Sequence, residues 1–437
     1  MGRFWQRATG HVVLAMLVLL GLAGVQAIPA AGQETVELSV WSYLEPDDPS
    51  VKAYIERFQA DNPGIVIKYT AFPEDDYQDK VRTALSADSP PDVAIIEDKQ
   101  WMQAGLVVEL SSSFKEWGVD PADYAPGGMA RATLPDGGVY AIGDFLGGNI
   151  LFYNKALFDA AGAPYPSETE SMTWPEFDQA CRAVGQPSRN PMQAVYGCFV
   201  PHWSFGIWSP WVWGEDGHTV TGNLNSDAMV QSYNLGTALV RDGYAPSTSI
   251  EQSLPGGMSD LFAQGKMAMI WSDFTEVSKF QEAGIDFGMG PFVVIEGSES
   301  FVDTWTTPWG TFTNSQHPEE ALAFLKFIAT DAQYIRAETS ADPPLSQAVA
   351  AELEWGKGDP IREEYLAVLQ QNKAQVFVPT SYIPLDIYPH TDEEIYRRLT
   401  TGGETDAKAI LDAEAEKAQP ALDAAWAEWD KLGEAGG

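Results

Sequence analysis

The chain has few of the residues that carry common catalytic and metal chemistry. Its 437 residues include five histidines and two cysteines, and these do not show the short spacing with which zinc sites collect their ligands. The sequence also lacks a nucleotide-binding glycine motif and the glycine–serine turn that presents a catalytic serine. It therefore predicts neither a metal nor a cofactor.

Basic residues are also scarce. The chain has 26 lysines and arginines against 62 aspartates and glutamates, which gives a formal net charge of -36. A surface this acidic repels nucleic acid and anionic membranes, so neither is an expected partner. The charge does not exclude an anionic ligand, because one local cation could hold it.

A long apolar run occurs only at the N-terminus. Val12–Val25 follows two arginines and is almost wholly apolar. At about 14 residues it is shorter than the roughly 20 that span a bilayer. A small–x–small pattern ends at Ala27, so residues 1–27 are predicted to be a signal peptide, with cleavage near Ala30 or a membrane anchor as alternatives. Without a cysteine at the cleavage site no lipid anchor is expected, and the mature protein is expected in the periplasm or outside the cell.

The two cysteines lie in the exported part of the chain. In an oxidising compartment Cys181 and Cys198 are expected to form a disulfide, which would stabilise the fold by about 3 kcal/mol. Two free buried thiols are the alternative.

The length and the first residue patterns together indicate an α/β fold. About 405 residues follow the signal, a size typical of two domains. Strand and helix patterns alternate over Val36–Val40, Val51–Phe58, Ile65–Tyr69, Tyr77–Ala87 and Val93–Ile96. The first, third and fifth are strand patterns and the other two are helical. This order predicts an open, mostly parallel sheet.

Ligands of open α/β sheets bind beyond the carboxyl ends of the strands. Trp41 and Tyr43 follow the first predicted strand, and Glu97, Asp98 and Trp101 follow the third. Both groups combine flat aromatic faces with hydrogen-bonding groups. Each residue alone could equally be structural, and Trp101 could belong to the core.

A glycine-bearing segment lies a third of the way along the chain. Gly143–Asn149 separates two apolar segments, Val139–Ile142 and Ile150–Tyr153. Gly147 and Gly148 allow a sharp turn or a close approach to a ligand. The residues alone fit a strand entering a second domain and, equally well, a loop inside one domain.

Four tryptophans lie close together in a segment interrupted by glycine and proline. They are Trp203, Trp208, Trp211 and Trp213. Some are expected in the core, but so aromatic a loop is costly to expose unless it receives a ligand. An indole offers a flat face and an N–H donor, and a sugar ring offers apolar C–H faces with hydroxyls at its edge. Contact between a sugar and at least one of these rings is therefore expected.

Five segments, taken in order, resemble one known family. They are LSVWSY with YIERFQADNPGIVIKY, PPDVAIIEDKQWMQAGLVVEL, YNKALF followed by TWPEF, LFAQGKMAMI, and WGTFTNSQHPEEALAFLKFIAT. Together they are similar to the extracellular solute-binding proteins of ABC importers, in particular the carbohydrate-binding group that includes maltose-binding protein. The set covers nearly all of the mature chain. SADPPLSQAV departs from the family, which often has glycine and proline before a basic residue there.

The resemblance implies an α/β, two-lobed periplasmic-binding-protein fold. Each lobe would be an open, mostly parallel sheet flanked by helices, with the ligand cleft between the lobes. Lobe 1 would comprise residues 34–148 and 304–357, and lobe 2 residues 149–303 and 358–437. The segment Tyr140–Tyr153 would then be the first crossing between lobes.

The resemblance also implies ligand contacts by position. Asn149 matches a crossing position that often touches ligand, Trp271 and Asp273 match the turn after a strand, and Trp309 matches a tryptophan that precedes glycine. Asp144 is added as an acceptor for sugar hydroxyls. The expected contacts are Trp41, Tyr43, Glu97, Asp98, Trp101, Asp144, Asn149, Trp208, Trp211, Trp271, Asp273, Trp309 and Tyr382. The last of these comes from a segment that aligns poorly.

The implied function is capture of a mono- or oligosaccharide without chemistry. The closed monomer would then dock on the permease subunits of an ABC importer, so the chain is not expected to be an enzyme. A secreted glycoside hydrolase is one alternative, because it also needs tryptophans and carboxylates. A binding protein for a glycerol phosphodiester or another polar solute is the other. It would need a cation, and the matched contact segments contain only Lys99.

Overall fold

The computed structural model describes most of the chain after the predicted signal peptide. The described ranges are 35–200, 210–214, 217–254, 256–370 and 389–436. Residues 1–27, Trp208 and Tyr382 lie outside these ranges, so what the sequence predicts for them stays a prediction.

The strands of the described ranges form two sheets, and the chain returns to the first sheet after it has formed the second. The strands are β1 (Val36–Ser42), β2 (Ile65–Ala71), β3 (Val93–Ile95), β4 (Gly147–Asn154), β5 (Met269–Asp273), β6 (Phe287–Gly290), β7 (Asp303–Trp305) and β8 (Trp309–Thr311). The helices are α1 (Pro49–Asp61), α2 (Glu74–Ser86), α3 (Lys99–Gln103), α4 (Ser111–Trp117), α5 (Pro126–Met129), α6 (Lys155–Ala161), α7 (Trp174–Val184), α8 (Asp227–Arg241), α9 (Thr248–Glu251), α10 (Gly257–Ala263), α11 (Val277–Glu282), α12 (Pro318–Ala329), α13 (Asp331–Thr339), α14 (Gln347–Glu352), α15 (Pro360–Leu369), α16 (Pro389–Thr400) and α17 (Ala407–Gly436).

The first sheet has the strand order β2-β1-β3-β8. β1 is parallel to β2 and β3, and β8 is antiparallel to β3. All three residues of β3 are buried, as the uninterrupted apolar run of the sequence predicts for a strand covered on both faces. Helix α1 buries Val51, Tyr54 and Phe58, the face predicted from their helical spacing. The predicted order of the first three strands and two helices, from Val36 onward, is confirmed.

The second sheet is built around β4. It pairs with β5 along one edge and with β6 and β7 along the other, antiparallel in every case. The predicted fold class, two sheets flanked by helices, is confirmed, but these pairs differ from the mostly parallel sheet expected for the second lobe. β4 enters directly from the first sheet, whereas β5 and β6 each follow a helix and enter from the opposite end. Among the described residues of this region, parallel pairing occurs as isolated bridges such as Tyr196 with Met267.

The glycine-bearing segment carries the chain from one sheet to the other. Val139–Ile142 does not form a strand; Val139 and Ile142 each make an isolated bridge, Ile142 with Trp309 of the first sheet. Five residues later the chain is in β4 of the second sheet. Helix α6 follows at once and ends at Gly162, whose φ of 64° favours glycine. The structure therefore has a crossing here and not a loop within one sheet.

A capping box and a disulfide stabilise helix α7, which follows the crossing. Thr173 and Glu176 form a capping box at the start of α7, which the sequence TWPEF predicts. Near its end Cys181 is joined to Cys198 by a disulfide, and both are buried. None of the helices in the described part of the chain combines the length and the apolarity needed to cross a bilayer.

Candidate functional site

Polar side chains meet where β1 and β3 end. The Tyr43 hydroxyl donates to Oε1 of Glu97 at 3.2 Å, and Nε2 of Gln78 donates to Oε2 of the same carboxylate at 3.1 Å. Burial, reinforced by the charge of Glu97, raises the pKa of Tyr43, so the phenol stays protonated as a donor. Tyr43 and Glu97, predicted from their positions after the strands, therefore lie together and half-buried.

Arg131 lies beside the same carboxylate. Its NH1 atom is 3.8 Å from Oε1 of Glu97, and each side chain is 31% exposed. The neighbouring carbonyl of Ala130 accepts a hydrogen bond from Nζ of Lys99 at 2.7 Å. Burial, assisted by the charge of Arg131, lowers the pKa of Lys99 to about 7. This end of the first sheet therefore holds two cations, of which the sequence predicted only Lys99.

Three polar side chains form a row across the second sheet. Asn149 of β4 pairs with Asp273 of β5 on one edge and with Asp303 of β7 on the other. Directly paired residues of neighbouring strands project on the same face of a sheet. All three residues are half-buried. The row Asp273–Asn149–Asp303, called the acidic row below, is therefore partly accessible.

An indole lies next to the acidic row. Trp305 is two residues from Asp303 on β7, pairs with Gly147, and so shares the face of the row. Its ring lies against Gly147, where a Cβ atom would come within 2.7 Å of the indole nitrogen. Trp305 is half-buried. Glycine at this position gives the ring room to lie flat on the strand.

Asp303 links the acidic row to Arg131. Helix α5, which precedes Arg131, packs on β7. Burial raises the pKa of Asp303, while the charge of Arg131 and the side chain of Asn149 act against the rise. Arg131 thus lies near Glu97, which follows a strand of the first sheet, and its charge also acts on Asp303 of the second.

Asp144 takes part in a buried network beside the crossing. It is 2% exposed, accepts a hydrogen bond from the Tyr54 hydroxyl, and lies 3.8 Å from Nε of Arg336. Burial raises the pKa of Asp144 in spite of this cation. The guanidinium of Arg336 also lies over the ring of Phe145, 4.2 Å from its centroid. In this structure the carboxylate is engaged within the protein, and the predicted ligand contact stays a prediction.

The same arginine connects the network to the second sheet. NH2 of Arg336 is 3.5 Å from Oδ2 of Asp342. Burial and the negative charge of Asp273 raise the pKa of Asp342 to about 7, although Arg336 lowers it. Asp273 also accepts hydrogen bonds from the amide and the hydroxyl of Thr275, at 2.7 and 2.5 Å. A carboxylate at the end of the acidic row therefore lies close to a second, fully buried carboxylate.

The predicted tryptophans fall into two groups. Trp101, Trp271 and Trp309 are 6%, 4% and 1% exposed and pack in the core. Trp41 and Trp211 are half-buried at the edge of the core, Trp41 with its ring edge against Phe72 at 4.9 Å between centroids. Within the described ranges, Trp41, Trp211 and Trp305 leave part of each ring accessible for stacking, whereas the three core tryptophans do not.

Asp98 has a structural role besides any contact. Its carboxylate accepts the backbone N–H of Gln100 at 2.9 Å and caps helix α3. Burial raises the pKa of Asp98. The cap orients Asp98 toward its own helix, and its predicted contact with ligand stays untested.

Sequence reasoning missed several residues of this region. They are Arg131, Asp303, Trp305, Arg336 and Asp342. Asp303 and Trp305 carried a usable signal, because a polar and an aromatic residue two apart share one face of a strand. Arg131 and Asp342 lie in connecting segments and Arg336 on helix α13, and their place in the fold has no local signature.

The described residues offer no metal centre. Among them, no three histidine, cysteine, aspartate or glutamate side chains are grouped to hold an ion. The site can form hydrogen bonds through carboxylates, an amide and a phenol. It also contains the guanidinium groups of Arg131 and Arg336, and indole faces for stacking.

Comparison with known proteins identifies the family. The model of the bacterial extracellular solute-binding protein family matches residues 41–335, and the chain belongs to this family. The resemblance predicted from the sequence is confirmed.

Solved structures of similar proteins agree in fold. An ABC substrate-binding protein from Listeria monocytogenes in complex with cycloalternan matches with a TM-score of 0.73 at 20% identity, over 89% of this chain and 99% of that one. The GacH receptor of Streptomyces glaucescens matches with a TM-score of 0.69 at 18% identity, over 89% and 98% of the two chains. At these identities the likeness establishes the two-lobed fold.

Among curated relatives is the sn-glycerol-3-phosphate-binding periplasmic protein UgpB of Brucella abortus. It is 24% identical over 344 residues, which cover 74% of this chain and 76% of the relative.

Proposed function

We propose that this chain is the substrate-binding component of an ABC sugar importer, which captures a mono- or oligosaccharide and delivers it unchanged to a membrane permease. The observation that carries the proposal is the acidic row with Trp305 on the same face. Carboxylates and an amide accept hydrogen bonds from hydroxyls, and a carboxylate is the stronger acceptor. An indole covers the apolar C–H face of a sugar ring.

Groups of both sheets take part in the proposed site. Tyr43 and Glu97 would contact the ligand from the first sheet, and Asn149, Asp273 and Asp303 from the second. A ligand that bridges two lobes stabilises the closed arrangement, which the permease can then recognise. We propose the lobe boundaries inferred from the sequence for this motion.

Two related proteins support a carbohydrate ligand. The Listeria protein is described with cycloalternan, and GacH with acarbose. The family consists of solute-binding proteins, which supports binding without turnover, outside the cytoplasm, and in partnership with a permease.

A phosphate-bearing ligand is the second candidate. The relatives named for glycerol 3-phosphate binding favour it, and so does Arg131, a half-exposed cation beside the proposed contacts.

Thermal unfolding of the mature protein against a ligand panel tests both candidates. The panel holds monosaccharides, maltose- and mannose-type oligosaccharides, acarbose, polyols, glycerol 3-phosphate and a glycerol phosphodiester. A ligand at about 100 times its dissociation constant adds roughly 2.7 kcal/mol to the free energy of unfolding, which shifts the midpoint by a few degrees in a protein of this size. The sugar is recovered afterwards and analysed by chromatography.

We expect a shift with an uncharged sugar and its recovery intact. Consumption of the sugar would establish the hydrolase instead. A shift with phosphate-bearing compounds alone would establish the second candidate.

A further inference from the structure

Arg131 is held in place from two directions. Nζ of Lys99, a buried side chain, donates to the carbonyl of Ala130 at 2.7 Å and fixes the backbone next to Arg131. Helix α5, which ends two residues before Arg131, packs on β7. The backbone that carries Arg131 is therefore fixed by its neighbours in the fold.

Two carboxylates act on this guanidinium, one next to the first sheet and one on the second. Glu97, 3.8 Å away, is itself held by the hydroxyl of Tyr43 and by the amide of Gln78. Asp303 stands on β7 at the end of the acidic row. Glu97 and Asp303 thus provide two carboxylates that act on Arg131, whereas Lys99, the other basic side chain at this end, is buried and donates to a backbone carbonyl.

We propose that Arg131 and its two carboxylate partners determine the ligand class, so that the site accepts an uncharged polyol or sugar and excludes phosphate-bearing ligands. A hydroxyl can donate to Glu97 or Asp303 and accept from Arg131 at the same time. A phosphate only accepts at neutral pH, so it would have to displace a carboxylate from Arg131 and then lie beside the displaced negative charge. This inference rests on the proposed function and specifies the ligand of the same site.

The test removes the two negative charges and keeps the shapes. In the double variant Glu97→Gln, Asp303→Asn the cation is no longer balanced. Titration calorimetry in 0.15 M NaCl measures binding of sn-glycerol 3-phosphate and glucose 6-phosphate, each beside glycerol or glucose. With the phosphate esters we expect no detectable heat in the wild type. The double variant should bind them with an affinity roughly tenfold or more above the detection limit, and this binding should weaken as salt rises. The triple variant with Arg131→Gln should lose the gain.

Controls separate this inference from the proposed function. The single variant Asp303→Asn should show part of the gain, and it serves if the double variant does not fold. Wild-type binding of a phosphate ester as tightly as of its uncharged counterpart overturns the inference, and so does a gain that persists without Arg131. The proposed function is judged separately, by the wild-type response to the sugar panel, so a folded protein that binds no sugar rejects that function.

Discussion

At the residue scale, the candidate site consists of partly exposed polar groups that the fold aligns. Asn149 and Asp273 were predicted from their positions in family-like segments, and the structure pairs them directly. Asp303 completes the row but was not predicted. Which residues lie side by side in a sheet depends on strand register between distant segments. Spacing along one segment carries no information about it, so two residues of this row could be inferred and the third could not.

Asn149→Ala is expected to weaken ligand binding without loss of the fold. Asn149 lies between two carboxylates on the shared face, and a hydrogen bond there contributes about 1–3 kcal/mol, which corresponds to roughly tenfold or more in affinity. Calorimetry with the sugar found in the panel measures the loss. Asn190→Ala, a change at an exposed asparagine, is the control and should bind as the wild type does. Equal affinities for both variants would remove Asn149 from the site.

Gly147→Ala is expected to act through Trp305. A Cβ atom at this position would come within 2.7 Å of the indole, so the ring must move away from the strand. If the ring stacks on a sugar, affinity should fall by about tenfold, and the tryptophan fluorescence change on ligand addition should shrink. Trp305→Phe, which keeps a smaller ring, should lose less affinity than Trp305→Ala. Full affinity in Gly147→Ala would show that Trp305 does not contact the ligand.

At the element scale, local sequence signals predicted the first three strands and the two helices between them. The capping box of α7 and the glycine that ends α6 occur where the sequence places them, because caps and glycine stops act within a few residues. Strand direction in the second sheet differs from the mostly parallel arrangement that the resemblance implied, because β4 pairs antiparallel with each of its neighbours. It depends on how the crossing enters that sheet, which is a property of the whole fold.

The carboxyl group of Asp342, in the segment between α13 and α14, should make the stability of the folded protein depend on pH. Asp342 is 1% exposed, and its Oδ1 atom has no hydrogen-bond partner among the described residues. Its pKa of about 7 in the folded protein exceeds the value of about 4 in an unfolded chain. The folded state therefore binds the proton more tightly, and this stabilisation is present at low pH and is lost as pH rises from about 4 to 7.

Thermal unfolding between pH 5 and pH 8 measures this effect. We expect the wild-type midpoint to fall as pH rises and the Asp342→Asn variant to show a flatter profile. Burial raises the pKa of Asp144, Asp273 and Asp303 as well, so some slope should remain. Asp159→Asn, at an exposed position, should keep the wild-type slope. An unchanged slope in Asp342→Asn would contradict the assignment.

The disulfide should stabilise the folded protein around helix α7. It joins α7 to the segment before residue 200, and closing a loop of this length contributes about 3 kcal/mol. The double variant Cys181→Ala, Cys198→Ala should unfold several degrees lower, whereas sugar affinity should change little, since neither sulfur lies in the acidic row. A midpoint equal to that of the wild type would show that the bond adds no stability.

At the scale of the whole molecule, the family could be predicted because several weak signals occur in one order. The matched family region, residues 41–335, spans both sheets and the crossing between them. The net charge of -36 restricted the classes of partner but not the ligand, because the ligand is chosen by a few groups such as Arg131 and Glu97. The lobe boundaries stay predictions.

A crystal structure of the protein with the sugar that gives the largest thermal shift tests the central claim most directly. We expect the sugar between the two sheets, with hydroxyls on Asn149, Asp303 and Glu97 and a ring face on Trp305. A sugar bound to one sheet alone, or away from the acidic row, would contradict the account.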